Sequence, residues 1–218
     1  MHYQTVLANN RLPFGKIEIF GGDLSESAFE NLRESNLLAW DIETSGLNWH
    51  QDRIATCQLF SPAKSLTLVR VDSSRPERLC SLLENRSIKK VFHHAMFDLR
   101  FMRYCWNVDF QNVACTKISA KLLDPLNEHE HTLQSLLKRY LGTAIDKSQR
   151  TSDWFSEKLT TEQVIYAATD VIYLPDLMQV LGKELEKKGL LSIAKACFDS
   201  LPTMVWLDVA GYKDIYGY

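Results

Sequence analysis

The sequence predicts an α/β fold, a mixed β-sheet flanked by helices with a helical C-terminal half. Strand-length apolar or alternating runs crowd the first third of the chain, and one more such run follows a helix. Helical periodicity then takes over beyond about residue 115. No internal repeat, low-complexity tract or Pro/Gly/Ser-rich linker interrupts the 218 residues, so a single domain over 1–218 is expected.

Residues 16–20 alternate and stop at Gly21 and Gly22, as a strand stops at a turn. Spacing through Leu24, Ala28, Phe29 and Leu32 marks a helix between Ser25 and Ser35. Residues 37–42 are mostly apolar, as a central strand should be, whereas 53–60 and 65–71 alternate on either side of a Ser-Pro turn. Pro76 opens a helix carrying Leu79, Leu82 and Leu83, and a proline that early sacrifices no hydrogen bond. Residues 88–92 form another short strand and 95–105 a helix. Helices follow over about 115–123, 132–141 and 161–199, with Thr132 as an N-cap and breaks at Pro175 and Gly189.

Hydrophobic residues at 45% and charged residues at 24% are ordinary for a soluble globular protein. No continuous apolar run approaches the roughly 20 residues that span a bilayer, and the N-terminus has neither the basic start nor the apolar stretch of a secretory signal. Five widely spaced cysteines without a Cys-x-x-Cys pair argue against a disulfide framework or a zinc knuckle. They point to a reducing, cytoplasmic setting, with Cys57 and Cys80 as buried thiols. The net charge of −2 hides a segmented distribution. Residues 86–121 carry seven basic side chains against Asp98 and Asp109, while 1–85 and 122–170 are net acidic. A basic segment beside an acidic site suits phosphates next to cations; the plain alternative is a solvated face.

Asp41 and Glu43 stand two apart at the end of the presumed central strand and therefore share a face. Two acids closing an apolar strand call for solvation or a cation. Asp98 falls near the start of a helix whose apolar face is Phe97, Phe101 and Met102, where the helix dipole alone favours an acid. Tyr166 and Asp170, at i and i+4, share a helix face. Asp170 can supply a third oxygen to an ion held by Asp41 and Glu43, with Tyr166 one turn away to orient a water. His93 and His94 read as turn residues rather than metal ligands, since hard cations prefer oxygen. Glu128 to His131 reads as a polar loop without a third spaced ligand. Trp40 is expected in the core, and Trp154 with Phe155 as a core anchor beneath the site, a base-stacking role being the alternative.

Asp41-Ile-Glu43, the His-x-Ala-x-x-Asp pattern ending at Asp98 and Tyr166-x-x-x-Asp170 resemble the three motifs of the DEDDy 3′–5′ exonucleases, a family that includes ribonuclease D and polymerase proofreading domains. The acids lie 57 and 72 residues apart in the expected order. The stretches 131–142 and 147–154 resemble the ribonuclease D branch, and the ending resembles short single-domain members. This resemblance implies a ribonuclease H-like fold and two divalent ions, Mg²⁺ or Mn²⁺. It implies that Asp41 bridges them, Glu43 and Asp170 complete the first site, Asp98 supports the second and Tyr166 positions the nucleophile. Thr44, Leu47 and His94 are then the expected substrate-binding residues, with Leu47 packing on the terminal base. The implied activity is removal of nucleoside 5′-monophosphates from the 3′ end of single-stranded RNA, with DNA as a further substrate. The alternatives are an idle nucleic-acid-binding or partner-docking domain and a DNA proofreading exonuclease acting in trans with a polymerase. Ribonuclease D proper carries extra helical domains after the nuclease domain, whereas this sequence stops at Tyr218, a departure expected to bear on substrate grip and structured-RNA specificity rather than on chemistry.

Overall fold

The structure, a computed structural model, describes residues 4–8, 16–62, 65–212, 214–215 and 217. Among them seven strands form one mixed sheet in the order β1-β2-β5-β4-β3-β6-β7. The strands are β1 (Gln4–Ala8), β2 (Lys16–Gly21), β3 (Leu37–Thr44), β4 (Ile54–Ser61), β5 (Ser65–Arg70), β6 (Lys89–Phe92) and β7 (Val113–Cys115). Pairing is antiparallel at β1/β2, β5/β4 and β4/β3, and parallel at β2/β5, β3/β6 and β6/β7.

Helices cover both faces. On one, α1 (Glu26–Arg33), α2 (Glu77–Glu84) and α3 (Ala95–Trp106) pack with Leu201 and Val205 of α8 (Leu191–Val209) against Phe20, Trp40, Ile42 and Cys57. On the other, α5 (Leu133–Leu141), α6 (Thr161–Ile172) and α7 (Leu174–Lys187), with the end of α4 (Thr116–Leu123), pack against Ile17, Ala39, Ala55 and Val91. Alternation along β3 is what sorts Trp40 and Ile42 to the first face and Ala39 to the second. Trp40 is buried as expected and stacks 6.3 Å from Phe92.

Local chemistry sets the helix ends that matter. Ser25 caps α1, and Thr132 accepts from Ser135 N–H at 3.1 Å to start α5. Thr160 and Gln163 form a reciprocal capping box that fixes the start of α6 and hence the positions of Tyr166 and Asp170. Gly142 ends α5 with φ of 65°, a left-handed conformation natural to glycine.

The expected strands and helices are present, with four differences. The sequence reading lacked β1, a short edge strand, and β7, whose three residues show no periodicity and owe their conformation to pairing with β6. It ended the last helix near residue 199, whereas α8 continues through Pro202 to Val209. Glu128–His131 is a 3-10 turn rather than a loop, and its His131 is buried with Nε2 2.7 Å from the Asp124 carbonyl oxygen. Finally, Thr161–Lys187 is long and apolar enough, by length and composition, to cross a membrane. Its most apolar window is 61% buried inside the fold, which explains the composition as that of core helices.

Candidate active site

The site lies where the sheet splits. Strand β6 pairs with β3 only from Leu37 to Ala39, and β3 runs on to Thr44 with that edge open. Ligand clefts form at such carboxyl ends of parallel strands. Asp98, in the first turn of α3, fills part of the gap, and its Oδ1 accepts the Ile42 N–H at 3.2 Å. A register shift between Glu43 and Thr44 bends the end of β3, as bulges beside active sites commonly do.

Asp41 and Glu43 project from β3 on the Ala39 face, towards α6, and α6 returns Asp170 to meet them. Carboxylate oxygens of Asp41, Glu43 and Asp170 all lie within 4.8 Å of one another. Asp98 stands beside this triad from the other side of β3, close enough for its charge to act on Asp41 and Glu43. The structure therefore brings together all four acids that the sequence reading selected. Tyr166, one turn before Asp170, is buried, lies near enough to Asp170 for each to shift the other's proton affinity, and packs at 5.9 Å against the Trp154 ring.

Electrostatically this is a site under tension. Burial, then the neighbouring Asp170, pushes the Asp41 carboxyl up to about 7, against the opposing pull of Lys147 and Gln58. Burial and the charges of Asp41 and Asp170 raise Glu43, and burial and Asp41 raise Asp98. Burial raises Asp170 too, although Lys147 and Tyr166 draw it back. Burial followed by the Asp170, Glu43 and Asp41 charges drives the Tyr166 phenol far above its ordinary range, so it remains a proton donor. Like carboxylates so close cannot all ionise unless a cation joins them. Three oxygen donors in one pocket, with an ammonium already drawn in, fit a hard divalent ion.

Two residues that the sequence reading did not select complete the arrangement. Gln58 lies opposite Asp41 in the β3/β4 register and donates Nε2–H to Asp41 Oδ2 at 2.8 Å; its own Oε1 accepts from Thr56 Oγ1 at 3.1 Å. Its signal was available as an uncharged polar side chain inside a wholly buried strand. Lys147 puts Nζ 2.5 Å from Asp170 Oδ1. No periodic or motif signal marks it, because it lies in the irregular segment between α5 and α6.

The expected substrate-contact residues lie at the ends of the elements that carry the acids: Thr44 ends β3, Leu47 is in the loop after it and His94 precedes α3. Thr44 Oγ1 donates to the Gly46 carbonyl at 2.6 Å, and Leu47 stands 80% exposed on the loop closed by Asp52, whose carboxylate accepts from Ser45 Oγ and Asn48 N–H. An apolar side chain that open offers a surface to a base. His94 precedes α3, stacks on Phe97 at 6.2 Å, and is pushed down to about 4 by desolvation and by Lys117, Arg100 and Lys121. The basic segment is only partly gathered there. Lys117 and Lys121 line a small pocket with His94, whereas Lys90 is buried on the Asn85 carbonyl, and Arg100 and Arg103 pair with Asp208 and Asp109. Trp154 is buried beneath the site as expected, but Phe155 is not part of the core: it is 36% exposed, with the Arg53 guanidinium 4.8 Å above its ring.

A mixed sheet whose central strand delivers two acids, joined by a third from a facing helix and a fourth beside them, makes an oxygen-rich site suited to divalent metal ions. The comparisons place it further. The family model described as "3′-5′ exonuclease" matches residues 18–186, and the chain belongs to that family. Its fold is similar to Brucella melitensis NrnC, at TM-score 0.85 and 35% identity over 93% of this chain and 98% of that one. NrnC has also been solved with bound Mg²⁺ and bound to pGG. Among curated proteins the chain is similar to DNA polymerase I of Aquifex aeolicus, 31% identical over 159 residues, which are 73% of this chain and 26% of that protein. It is also similar to ribonuclease D of Bartonella henselae, 28% identical over 163 residues, covering 74% of this chain and 40% of the relative. The chain thus spans between about a quarter and two fifths of the length of these two curated relatives. Divalent metal ions are the cofactors of this family, in keeping with the acid cluster.

Proposed function

We propose that the chain acts as a single-domain 3′–5′ exonuclease on single-stranded RNA ends, with DNA as a further substrate, releasing nucleoside 5′-monophosphates. The observation that carries this is the convergence of the Asp41, Glu43 and Asp170 carboxylates within 4.8 Å, with Asp98 beside them and Tyr166 over them. Asp41 is the candidate to bridge two ions, Glu43 and Asp170 to complete one site and Asp98 to support the other. When bound, two divalent ions stabilise the attacking and leaving oxygens of an in-line displacement. Tyr166 stays protonated, so its hydroxyl orients the attacking water rather than removing a proton. Thr44 and Leu47 hold the terminal nucleotide, Leu47 through its base, and His94, neutral at pH 7, contacts the substrate without adding charge. The pGG complex of NrnC favours short oligonucleotides as substrates for this chain as well. Five free cysteines, three of them buried, support a cytoplasmic setting.

Matched RNA and DNA oligonucleotides, labelled at either end and digested in Mg²⁺ or in EDTA, test this reading. Stepwise shortening from the 3′ end in Mg²⁺, stopped by EDTA, is expected. Internal cuts as first products, or full activity in chelator, would refute it. An idle domain would bind without cleaving, and a proofreading subunit would prefer a mispaired DNA 3′ end.

A further inference from the structure

Lys147 is neither one of the acids nor the phenol, yet among the described residues it makes the shortest polar contact to them. Its Nζ lies 2.5 Å from Asp170 Oδ1 and 4.9 Å from the centre of the Tyr166 ring. The same ammonium acts on the charges of Asp41, Glu43 and Asp170. One cation bonded to Asp170, with Asp41 and Glu43 within reach of its charge, stands where a divalent ion would also be drawn. Asp170 is almost fully buried, so an uncompensated charge on it would be strongly destabilising.

The base of the side chain is fixed. Ile145 is buried and its carbonyl accepts Gln134 Nε2–H at 3.1 Å, while the Asp146 carboxylate folds back onto Ser148 N–H and Oγ. Beyond it, Trp154 is buried and Arg70 holds the carbonyls of Ser156 and Glu157. The four-carbon stem above this base is flexible, and the side chain keeps 27% of its surface open to solvent. Lys147 can therefore leave Asp170 without unfolding its loop. An ion entering the triad needs the Asp170 carboxylate, and a carboxylate oxygen engaged at 2.5 Å by an ammonium is not free to bind it.

We propose that Lys147 is an exchangeable counter-cation of the acid cluster. It holds Asp170 when no ion is bound and gives Asp170 up to an incoming divalent ion, so it stabilises the ion-free fold and weakens ion binding. It is a positioning residue, and the proposal rests on the reading of Asp41, Glu43 and Asp170 as ion ligands. The linkage is reciprocal: whatever Lys147 contributes to the metal-free state, the ion must overcome.

The test uses chelator-stripped full chain, with Mn²⁺ binding measured by calorimetry and thermal unfolding measured in EDTA. Lys147→Met keeps the stem length and removes the charge. Its metal-free unfolding temperature should fall by several degrees, and its Mn²⁺ affinity should rise about tenfold. Lys147→Arg, which keeps the charge, should unfold in EDTA closer to the wild type. Both Lys147→Met changes are required: an unchanged unfolding temperature, or an unchanged or weaker Mn²⁺ affinity, overturns the proposal. If Lys147→Met does not fold without metal, the double variant with Asp170→Asn decides. Restored folding supports the counter-cation role, and continued failure to fold overturns it. A wild-type chain that binds no Mn²⁺ overturns the ligand assignment and the proposal together. Normal wild-type binding with an unresponsive Lys147→Met variant overturns the proposal alone.

Discussion

Replacing Gln58 by Leu separates positioning from ligation at the acid cluster. Gln58 is fully buried on β4 and touches the site through one bond, its Nε2–H to Asp41 Oδ2 at 2.8 Å. A hydrogen bond to a charged group contributes about 1.5–3 kcal/mol. Leucine has a similar reach and suits the apolar strand, and the only other bond lost is the one from Thr56 Oγ1. Stability should therefore fall by about 2–4 kcal/mol, the two lost bonds being offset only in part by the apolar side chain that replaces them. Asp41, however, loses the partner that fixes its rotamer and also lowers its proton affinity. If that bond is fully expressed in the transition state, kcat should fall roughly ten- to a hundredfold. The proton should also compete better with the ions, so the acid limb of the pH–rate profile should move to higher pH. Steady-state shortening of a 5′-labelled RNA between pH 5.5 and 9, at fixed Mg²⁺, measures both. A Gln58→Leu enzyme with kcat within twofold of wild type and an unmoved acid limb would show that Asp41 needs no help from β4.

Asp41→Ala should lower turnover by about a thousandfold, an effect of about 4 kcal/mol on the barrier. Because it removes a buried like charge, it should leave the metal-free fold as stable as wild type or more so; more than about a tenth of wild-type activity in a folded variant would remove Asp41 from the proposed role. Tyr166→Phe keeps the ring that packs on Trp154 and deletes only the hydroxyl, so kcat should fall roughly ten- to a thousandfold with little change in KM or bound metal. Wild-type kcat would make Tyr166 a core residue, and a change confined to KM would make it a substrate contact. In EDTA, stability should decline as pH rises through the interval between the ordinary Asp value of 3.8 and the folded value of about 7, and then level off. The sign follows because the folded chain holds the Asp41 proton more tightly than the unfolded chain, and the limit from this group alone is about 4 kcal/mol. Denaturant titrations at pH 5 and pH 8 check it, and equal or greater stability at pH 8 contradicts the burial on which it depends.

How much of this could be read from the chain follows from which signals are local. Central strand β3 was legible because residues 37–42 form an apolar run, and α6 because it opens a helical stretch broken only at Pro175 and Gly189. The three acid motifs could be selected because each has a local pattern and the order of the three is restrictive. Strand β7 could not, since its three residues are extended only through pairing with β6. Phe155 was misplaced because adjacency to the buried Trp154 says nothing about which way the next side chain turns in an irregular loop. The role of Gln58 depends on antiparallel register, which places it opposite Asp41 from 17 positions away. That of Lys147 depends on a loop folding back over α6, across 23 positions of sequence.

The residues that escaped the sequence reading are those that make the legible ones tolerable. Burial and crowding raise all four acids, and three of them have a distinct partial remedy. Asp98 takes the Ile42 N–H that the shortened β6 leaves unpaired, Asp41 takes the Gln58 amide, and Asp170 takes the Lys147 ammonium. Glu43 has no such hydrogen bond among those described and is relieved only by the more distant charge of Lys147. None of these remedies neutralises the cluster, because one ammonium faces four carboxylates. Two divalent ions would balance the four acids and leave Lys147 as surplus positive charge beside the phosphodiester. The geometry that crowds the carboxylates is therefore the geometry that draws cations in. On this view the three partial remedies keep the acids folded and aimed until the ions arrive, without binding them so firmly that the ions cannot take over.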